Sequence, residues 1–408
     1  MDRLDVAPSH CFDLMRRTEV LQGLRVMKFE DVYGRWQERR LSQAEAAEIL
    51  GMSERSFRRW RDRYQEEGVE GLADRRLGKA SARRVPVDQV NRVLELYRSR
   101  YAGFTVKHFH DKLCQDHGFQ LSYSWTKLRL QDAGLAAKAP RRSAHRKKRA
   151  RRSLAGMMLH QDGSTHRWLP GLDGELDLVV TMDDATSAIY SAFLVDEEGT
   201  MSSFRGLAAV IVEHGLPCSL YTDRGSHYFH TPKAGEKVAK EHLTQVGRAL
   251  AQLGIEHIAA YSPEARGRSE RAFGTLQDRL VKELALAGIT TVEAANRFIE
   301  ESYLPEHNAH FAVPPEQPES AFVADHAGAH RDILCIQENR VVGNDNTVRY
   351  HGLVLQIPPS PLRPHFVKLR VRVHDHPDGT LAIFHGPRCL ARYHADGSPL
   401  DHARPLAA

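Results

Sequence analysis

Three carboxylates stand in sequence frames that could together perform chemistry at a phosphate. Asp162 lies in the run Leu-His-Gln-Asp-Gly-Ser, Asp223 ends the run Cys-Ser-Leu-Tyr-Thr-Asp, and Glu270 follows a segment rich in Gly, Arg and Ser. Sixty residues separate the first two acids and 46 separate the last two, so they act together only if a fold gathers them. Carboxylate oxygens suit a pair of hard Mg²⁺ ions, which support in-line displacement at phosphorus. The pattern predicts a metal-dependent site that cuts or joins a phosphodiester backbone.

The local pattern also predicts the elements that position these acids. The first two acids each close a short β-type run, at 157–162 and 219–223, and the third lies in the first turn of a helix over 269–286. The remaining elements are strands over 176–182, 188–195 and 255–259 and helices over 204–214 and 240–253. Three strands, a helix, a strand, a helix, a strand and a closing helix is the order of a ribonuclease-H-like α/β fold.

Other acids near these frames compete for the same role. Asp183 and Asp184 begin the predicted hairpin turn, where an aspartate is often only a turn former, and both are left out of the catalytic set. Glu264 precedes Glu270 by six residues, but it lies in a proline-containing loop, whereas a helix would fix the direction of the Glu270 side chain. We therefore favour Glu270 as the third acid.

Residues 27–63 are predicted to form three helices. Ser42 and Glu45 have the spacing of a capping box, the helix they open ends at Gly51, and Ser53 caps the next helix. That last helix has an aromatic stripe and an arginine-rich surface. Its arginines are Arg55, Arg58, Arg59, Arg61 and Arg63. A helix, a short glycine turn and an Arg-rich helix are typical of a helix-turn-helix that contacts DNA; a solvated helix beside a small bundle is the alternative.

A second helical unit and a basic run follow. The pattern predicts three helices: one with an apolar face at Val90, Val93, Leu94 and Tyr97, one over 104–114, and one from Ser122 or Ser124 to a stop at Gly134. They resemble a weaker helix-turn-helix, with Lys127 and Arg129 as candidate DNA contacts, and a purely structural bundle is nearly as compatible with them. The stretch 138–152 then holds nine Lys or Arg in fifteen residues. Such a run predicts an extended arm, which is either a solvated linker or a strap that contacts phosphates, and both can hold together. The candidate contacts in it are Arg146, Lys147 and Lys148.

Composition limits the class of protein. Through Gln161 the chain has 34 Lys or Arg against 20 Asp or Glu, and the remainder has 23 against 32, so the net charge of +5 divides into +14 and −9. This asymmetry favours polyanion binding by the N-terminal part. No apolar run approaches the ~20 residues of a membrane span. The five cysteines include no C-x-x-C pair, which predicts a cytoplasmic protein without structural zinc.

The tail, from residue 330 to residue 400, changes to β-type patterns. Runs rich in Val, Ile, Leu and Tyr alternate with turn signals, which predicts a small, partly closed β-barrel. The predicted fold class is thus multidomain: an all-α helix-turn-helix N-terminal part, an α/β ribonuclease-H-like catalytic core and a small all-β C-terminal barrel. The predicted domains are 1–75, 85–136, a basic linker 137–155, the core 156–325 and the barrel 330–400.

The three acidic frames resemble the catalytic blocks of DDE-type transposases and retroviral integrases. The frames read HQDGSTHRWL, LYTDRGSHY and SPEARGRSERAFGTLQDRL, and the similarity runs from about residue 43 to residue 322. Within that group the chain is most similar to bacterial insertion-sequence transposases of the ISNCY-like, integrase-core type. Three ordered blocks together with helix-turn-helix modules make this resemblance specific, whereas one block alone would be weak.

The resemblance implies a function and a set of roles. Asp162 would bridge two Mg²⁺ or Mn²⁺ ions, Asp223 would hold one and Glu270 the other. The partners would be double-stranded DNA, at the ends of the insertion element and at the target, and one or more further copies of the chain. The location would be the cytoplasm of a bacterium, at the nucleoid. One departure is Gln277, where related proteins often have Lys or Arg; Arg271 or Arg279 could substitute there. The alternatives are a non-catalytic helix-turn-helix regulator and a ribonuclease-H-like nuclease.

Overall fold

Two units, Met1–Pro140 and Arg141–Ala408, divide the chain, and each is described by itself. The structure is a computed structural model. It describes residues 9–74, 84–138, 149–230, 242–261, 267–326, 328–359 and 363–400. Among these residues, none of the helices combines the length and the apolar character that crossing a bilayer would need. The domain boundaries predicted from the sequence remain predictions.

The N-terminal unit begins with the three predicted helices, α1 (Ser9–Gln37), α2 (Gln43–Leu50) and α3 (Glu54–Glu67). The capping box is confirmed, because Ser42 Oγ accepts the backbone N–H of Glu45 while Glu45 Oε2 accepts the backbone N–H of Ser42 at 2.8 Å. Gly51 ends α2 with a φ of 64°, the left-handed region that favours glycine. The sequence pattern placed the start of the first helix at residue 27, but α1 begins at Ser9.

Aromatic packing holds these helices together. Phe57 on α3 is fully buried and contacts Phe29 of α1, with ring centroids 6.0 Å apart. Trp60 and Tyr64 lie on the same face of α3, and both also contact Phe29. The predicted aromatic stripe is therefore the core of the module, and the opposite face of α3 is left to solvent.

The next helices of this unit are α4 (Val87–Ser99), α5 (Val106–Gln115) and α6 (Tyr123–Asp132). Ser122 caps α6, since its Oγ accepts the backbone N–H of Trp125 at 3.2 Å. The three predicted helices are confirmed.

The second unit contains a mixed α/β core. A five-stranded sheet has the order β3-β2-β1-β4-β5 within the described residues. β1 pairs antiparallel with β2 and parallel with β4, which pairs parallel with β5. Its elements are β1 (Leu159–His166), β2 (Leu176–Asp183), β3 (Ile189–Val195), α7 (Thr200–His214), β4 (Ser219–Thr222), α8 (Gln245–Leu253), β5 (Glu256–Ala259), α9 (Ser269–Leu286), α10 (Val292–Phe298) and α11 (Leu304–Phe311). The predicted order of strands and helices is confirmed.

Helices cover both faces of this sheet. On one face, Val180 of β2 belongs to a hydrophobic cluster with Leu276 and Leu280 of α9. On the other face, Leu159 of β1 packs with Phe204 of α7. Because side chains alternate along a strand, each residue of β1 faces either α9 or α7, and this alternation decides what lies near Asp162.

The C-terminal part is all-β after one short helix. It comprises α12 (His330–Ile333), β6 (Ile336–Val341), β7 (Thr347–Tyr350), β8 (Leu353–Gln356), β9 (Arg370–Asp375), β10 (Leu381–His385) and β11 (Arg388–Tyr393). Among the described residues the strands form a sheet of order β11-β10-β9-β6 and a separate β7-β8 pair. The predicted β class is confirmed, but these sheets do not close, so a barrel is not confirmed.

Candidate active site

Asp162 lies inside β1 rather than at its end, where the sequence pattern placed it. The predicted strand ended at residue 162, but β1 continues to His166 because it pairs with β2 along its whole length, and Asp162 lies opposite Val180. The side chain is 8% exposed. Since Val180 belongs to the cluster beneath α9 and directly opposed residues share a face, Asp162 faces the α9 side of the sheet.

Asp223 follows the last residue of β4, as predicted. In the parallel pairing of β1 with β4, Leu159 lies opposite Leu220 and His160 opposite Tyr221. Continuing this register by two residues brings Asp223 beside Asp162, on the same face of the sheet. The Asp223 carboxylate also accepts the backbone N–H of Gly225 at 2.8 Å, which fixes the start of the following loop.

Glu270 lies in the first turn of α9, as predicted, and is exposed. Gln277, seven residues later, donates from Nε2 to Ser164 Oγ at 3.0 Å. Seven residues are about two helical turns, so Glu270 lies on the same side of α9 as Gln277. Ser164 is two residues from Asp162 and on the same face of β1. The helix that carries Glu270 is therefore packed against the strand that carries Asp162.

The ligand atoms of the three acids do not form a close cluster among the described residues. A close cluster of potential metal ligands does occur elsewhere among the described residues. It consists of Asp332, His374 and His376, whose ligand atoms all lie within 4.8 Å of one another. The predicted catalytic set consists only of carboxylate oxygens, and hard divalent cations such as Mg²⁺ prefer those ligands. The donor chemistry fits the expected metal.

A fourth acid, Glu198, lies next to this region and was missed in the sequence. A Cβ on Gly163 would lie only 2.1 Å from Glu198 Oε2, so the carboxylate rests directly on the backbone of the residue after Asp162. Glu198 Oε1 accepts from the Tyr228 hydroxyl at 3.3 Å and lies 3.6 Å from His227 Nε2. The signal available in the sequence was Gly163 itself, which leaves room that no other residue type would leave.

Tyr228 lies beside the Glu198 carboxylate. It is buried, and its single hydroxyl proton has two acceptors within reach, Gln161 Oε1 at 3.2 Å and Glu198 Oε1 at 3.3 Å. Burial raises the pKa of Tyr228 well above its usual value, and the negative charges of Glu198, Asp162 and Asp223 raise it further. The hydroxyl stays protonated and can serve as a fixed donor among these acids.

Asp184 is more than the turn former that the sequence suggested. It is fully buried, its Oδ1 contacts His160 Nε2 at 2.8 Å, and Arg149 and Arg268 form ion pairs with the same carboxylate. The backbone N–H of Arg152 donates to Oδ2 at 2.8 Å. Asp184 therefore connects β1, the end of the basic run and the residue that precedes α9.

Asp183, in contrast, fits the predicted structural role. Its carboxylate accepts the backbone N–H groups of Gly156 and Thr186 at 2.9 and 2.8 Å, and it is fully buried. Those hydrogen bonds close the turn between β2 and β3. Leaving Asp183 out of the catalytic set agrees with this geometry.

The charge of Asp184 is fixed by its partners. Burial by itself raises the pKa of an aspartate, but here the hydrogen bonds from His160 and the Arg152 N–H, with the positive charge of Arg268, lower the pKa of Asp184 well below its ordinary value of 3.8. The carboxylate is ionised at neutral pH and compensates the arginines around it.

The end of the basic run, residues 149–152, is exposed and contacts the turn after β2. Arg151 Nη1 donates to the backbone carbonyls of Asp184 and Ala185, both at 3.1 Å, and to Ser187 Oγ at 2.8 Å. The turn after β2 supplies acceptors that the charge count could not reveal. The predicted basic linker stays a prediction, and Arg146, Lys147 and Lys148 lie outside the described residues, as does the rival acid Glu264.

The candidate DNA contacts of the N-terminal unit differ in their surroundings. Arg55, Arg58 and Arg59 are exposed on α3. Arg61 is only 24% exposed, pairs with the adjacent Asp62 and lies over the ring of Trp36. The remaining candidates are also partly engaged. Arg63 lies over the Trp60 ring, Arg129 pairs with Asp132 at 3.0 Å, and Lys127 is half-buried.

Two arginines on α9 were proposed to replace the cation expected at Gln277. Arg271 is exposed, and its Nε donates to the Gly267 carbonyl at 2.7 Å. Arg279 is half-buried over the Phe311 ring, 4.9 Å from its centroid. Arg271 is thus better placed for a ligand arriving from solvent, while Gln277 itself connects α9 to β1.

Comparisons with known proteins cover most of the chain. A helix-turn-helix domain model matches residues 34–80. The chain is 30% identical over 348 residues to y4bF of Sinorhizobium fredii (strain NBRC 101917 / NGR234), a protein named as a transposase, with 84% of this chain and 75% of the relative covered. It is 27% identical over 339 residues to the transposase for insertion sequence IS1202 of Streptococcus pneumoniae, with 74% and 72% covered. Among solved structures, the magnesium complex of the HTLV-2 integrase catalytic core domain matches 37% of this chain and 91% of its own, at 16% identity and a TM-score of 0.28. The similarity in sequence extends far beyond the residues that the helix-turn-helix model matches.

Proposed function

Because this chain belongs to the family of insertion-sequence transposases, we propose that Asp162, Asp223 and Glu270 are the carboxylates with which it cleaves and joins DNA. The observation that carries this proposal is the parallel pairing of β1, which contains Asp162, with β4, which Asp223 follows, together with the hydrogen bond from Gln277 of α9 to Ser164 of β1. This arrangement supports a site in which the three acids act together at a phosphate.

The three carboxylates would hold two Mg²⁺ or Mn²⁺ ions. When bound, such a pair activates the attacking water or 3′-hydroxyl and stabilises the leaving 3′-oxygen. The chain itself fixes the carboxylates: Asp162 by its place inside β1, Asp223 by its hydrogen bond to Gly225, and Glu270 by the first turn of α9. No covalent enzyme intermediate is needed.

The substrate would be double-stranded DNA at the ends of the element and at the target. The exposed face of α3 offers guanidinium groups that suit phosphates and base edges. Joining two element ends needs two active sites, so we propose a homodimer or larger assembly on DNA.

The test of the function is a strand-transfer assay with a labelled DNA end taken from beside the coding region, a plasmid target and Mg²⁺. Joined product is expected, and absence of both nicked and joined product would refute the proposal.

Replacing Arg55, Arg58 and Arg59 with Ala should weaken binding to the element end and flatten its salt dependence. For every phosphate that α3 no longer neutralises, the slope of log affinity against log salt should decrease by roughly 0.9. For every base that α3 no longer reads through a bidentate hydrogen bond, about 1–3 kcal/mol of sequence discrimination should disappear. The measurement is a titration of labelled end DNA at several salt concentrations.

The matched control is Lys28, Arg92 and Arg98 to Ala, which removes the same charge from exposed positions on α1 and α4. That variant should keep both the specificity and the slope. Equal effects of the two triple substitutions would show that α3 is not the recognition helix.

We propose Glu198 as a positioning residue for Asp162 and the loop after Asp223. Gly163→Ala would place a methyl group on the Glu198 carboxylate and displace it, because the two would otherwise lie 2.1 Å apart. Strand transfer should fall roughly 10- to 100-fold, since small displacements near a reacting centre have effects of that size. Gly274→Ala on α9 is the matched control, because a Cβ there meets nothing within 4 Å.

Glu198→Gln should reproduce the loss, and the double variant Gly163→Ala, Glu198→Gln should lose little more than either single variant. Substitutions that act through one shared contact are not additive. Full additivity in strand-transfer rates would show that the two residues act separately.

A further inference from the structure

A cluster of ligand-type side chains lies in the C-terminal part, outside the three proposed catalytic acids. Asp332 is on α12, and His374 and His376 lie on β9 and just after it. One potential ligand atom of each residue lies within 4.8 Å of the others. His374 and His376 alternate along the strand and therefore share a face, opposite to the face on which Val373 joins the β-module core.

The two imidazoles are buried without protein partners for most of their ring nitrogens. His374 is 5% exposed and His376 is 3% exposed. Both nitrogens of His374 and Nε2 of His376 are enclosed and have no hydrogen-bond partner in the protein. Buried polar atoms in native proteins nearly always have a hydrogen-bond partner. Three buried nitrogens without one, close together, therefore indicate a binding site for a ligand.

The hydrogen bonding of His376 selects the tautomer that a metal needs. Its Nδ1 lies 3.1 Å from the Arg331 carbonyl oxygen, and a carbonyl can only accept, so Nδ1 carries the proton. The lone pair of the neutral ring is then on Nε2, the nitrogen that is buried without a hydrogen-bond partner. A histidine whose other nitrogen donates to a backbone carbonyl is the usual arrangement at metal sites.

We infer that Asp332, His374 and His376 bind a divalent transition-metal ion, with Zn²⁺ as the best candidate. Two imidazole nitrogens and one carboxylate oxygen suit Zn²⁺ better than Mg²⁺, which prefers oxygen ligands alone. The sequence prediction of no structural zinc rested on the spacing of cysteines, and none of these ligands is a cysteine. Bound there, the ion would fasten α12, which precedes the β-module, to the central strand of its larger sheet.

Two further features fit this assignment. Arg392 Nη2 donates to both oxygens of Asp332, at 2.8 and 2.9 Å, and can remain as the outer partner of a metal-bound carboxylate. A cavity of about 400 Å³, lined in part by His330, His376 and Asp378, reaches one ligand from solvent. An ion therefore has a route to the site.

The test is metal binding by the full chain in excess Mg²⁺, which occupies the carboxylate site. Titration with Zn²⁺ against a chromophoric chelator should show one ion per chain that Mg²⁺ does not displace. Co²⁺ in its place should give the visible absorption of a nitrogen- and oxygen-ligated ion. In the double variant His374→Gln, His376→Gln the Zn²⁺ affinity should fall at least about 100-fold, and Zn²⁺ should raise the Tm only of the unsubstituted chain.

A second variant keeps the inference testable if the double variant does not fold. Arg392→Gln removes the outer partner of Asp332, so it should weaken Zn²⁺ binding by about 10- to 100-fold. An unchanged Zn²⁺ affinity in this variant would show that Asp332 serves only the ion pair. The inference fails if the unsubstituted chain retains no Zn²⁺ in excess Mg²⁺. It also fails if the folded double variant binds Zn²⁺ as tightly as the unsubstituted chain.

Discussion

Glu270→Gln should fold normally, bind element-end DNA about as well as the unsubstituted protein and lose strand cleavage and joining by roughly 100-fold or more. The substitution keeps the shape of the side chain but removes a negative charge that we propose holds one of two metal ions. Because Glu270 is exposed at the start of α9, the change disturbs no buried packing. The measurement is cleavage and strand transfer on a labelled end in Mg²⁺ or Mn²⁺, beside a binding assay.

The two aspartates provide the companion test. Asp162→Asn and Asp223→Asn should show the same combination of retained binding and abolished chemistry, since one metal cannot serve both the attacking and the leaving oxygen. Glu264→Gln is the control, because Glu264 is the sequence rival of Glu270, and it should leave activity largely intact. Robust joining by Glu270→Gln, or its loss only in Glu264→Gln, would overturn the proposed triad.

The sequence contained enough information to predict the elements because local signals dominate there. The capping box at Ser42 and the serine cap of α3 depend on residues three positions apart, and both form as predicted. The order of strands and helices in the core follows from hydrophobic periodicity, which burial on a two-faced sheet imposes. The end of β1 was predicted too early in the chain. Gly163 and Ser164 by themselves favour turns, but the pairing of β1 with β2 overrides that preference.

Contacts between distant segments could not be predicted from the sequence. Glu198 reaches Gly163 only because β1 lies next to the loop that precedes α7, and no local pattern marks such a neighbour. The charge run before residue 152 gave no sign of its partners, and Arg151 donates to carbonyl acceptors on a turn more than thirty residues later. A functional polar residue within a recognisable sequence motif is therefore easier to predict than the distant residue that holds its side chain in place.

Asp184→Asn should both destabilise the second unit and lower strand transfer. The side chain is fully buried and compensates the charges of Arg149 and Arg268. Removing one partner from a buried ion pair lowers the free energy of unfolding by about 3–5 kcal/mol. The loss should be smaller here, because Arg149 is 41% exposed and solvent screens its charge. Strand transfer should fall as well, because Arg268 is the residue immediately before α9 and two positions from Glu270.

The dependence on pH separates this effect from a simple packing defect. The folded-state pKa of Asp184 lies below its ordinary value of 3.8, so the ionised carboxylate stabilises the fold above that pH, and the contribution is lost as the pH falls through and below it. Denaturant unfolding should therefore show a full difference between Asp184→Asn and the unsubstituted protein near neutral pH and a shrinking difference under acid. Asp173→Asn, at an exposed position, should change neither stability nor strand transfer. An Asp184→Asn protein that unfolds at the unsubstituted midpoint and joins DNA at the unsubstituted rate would show that this buried carboxylate does not position α9.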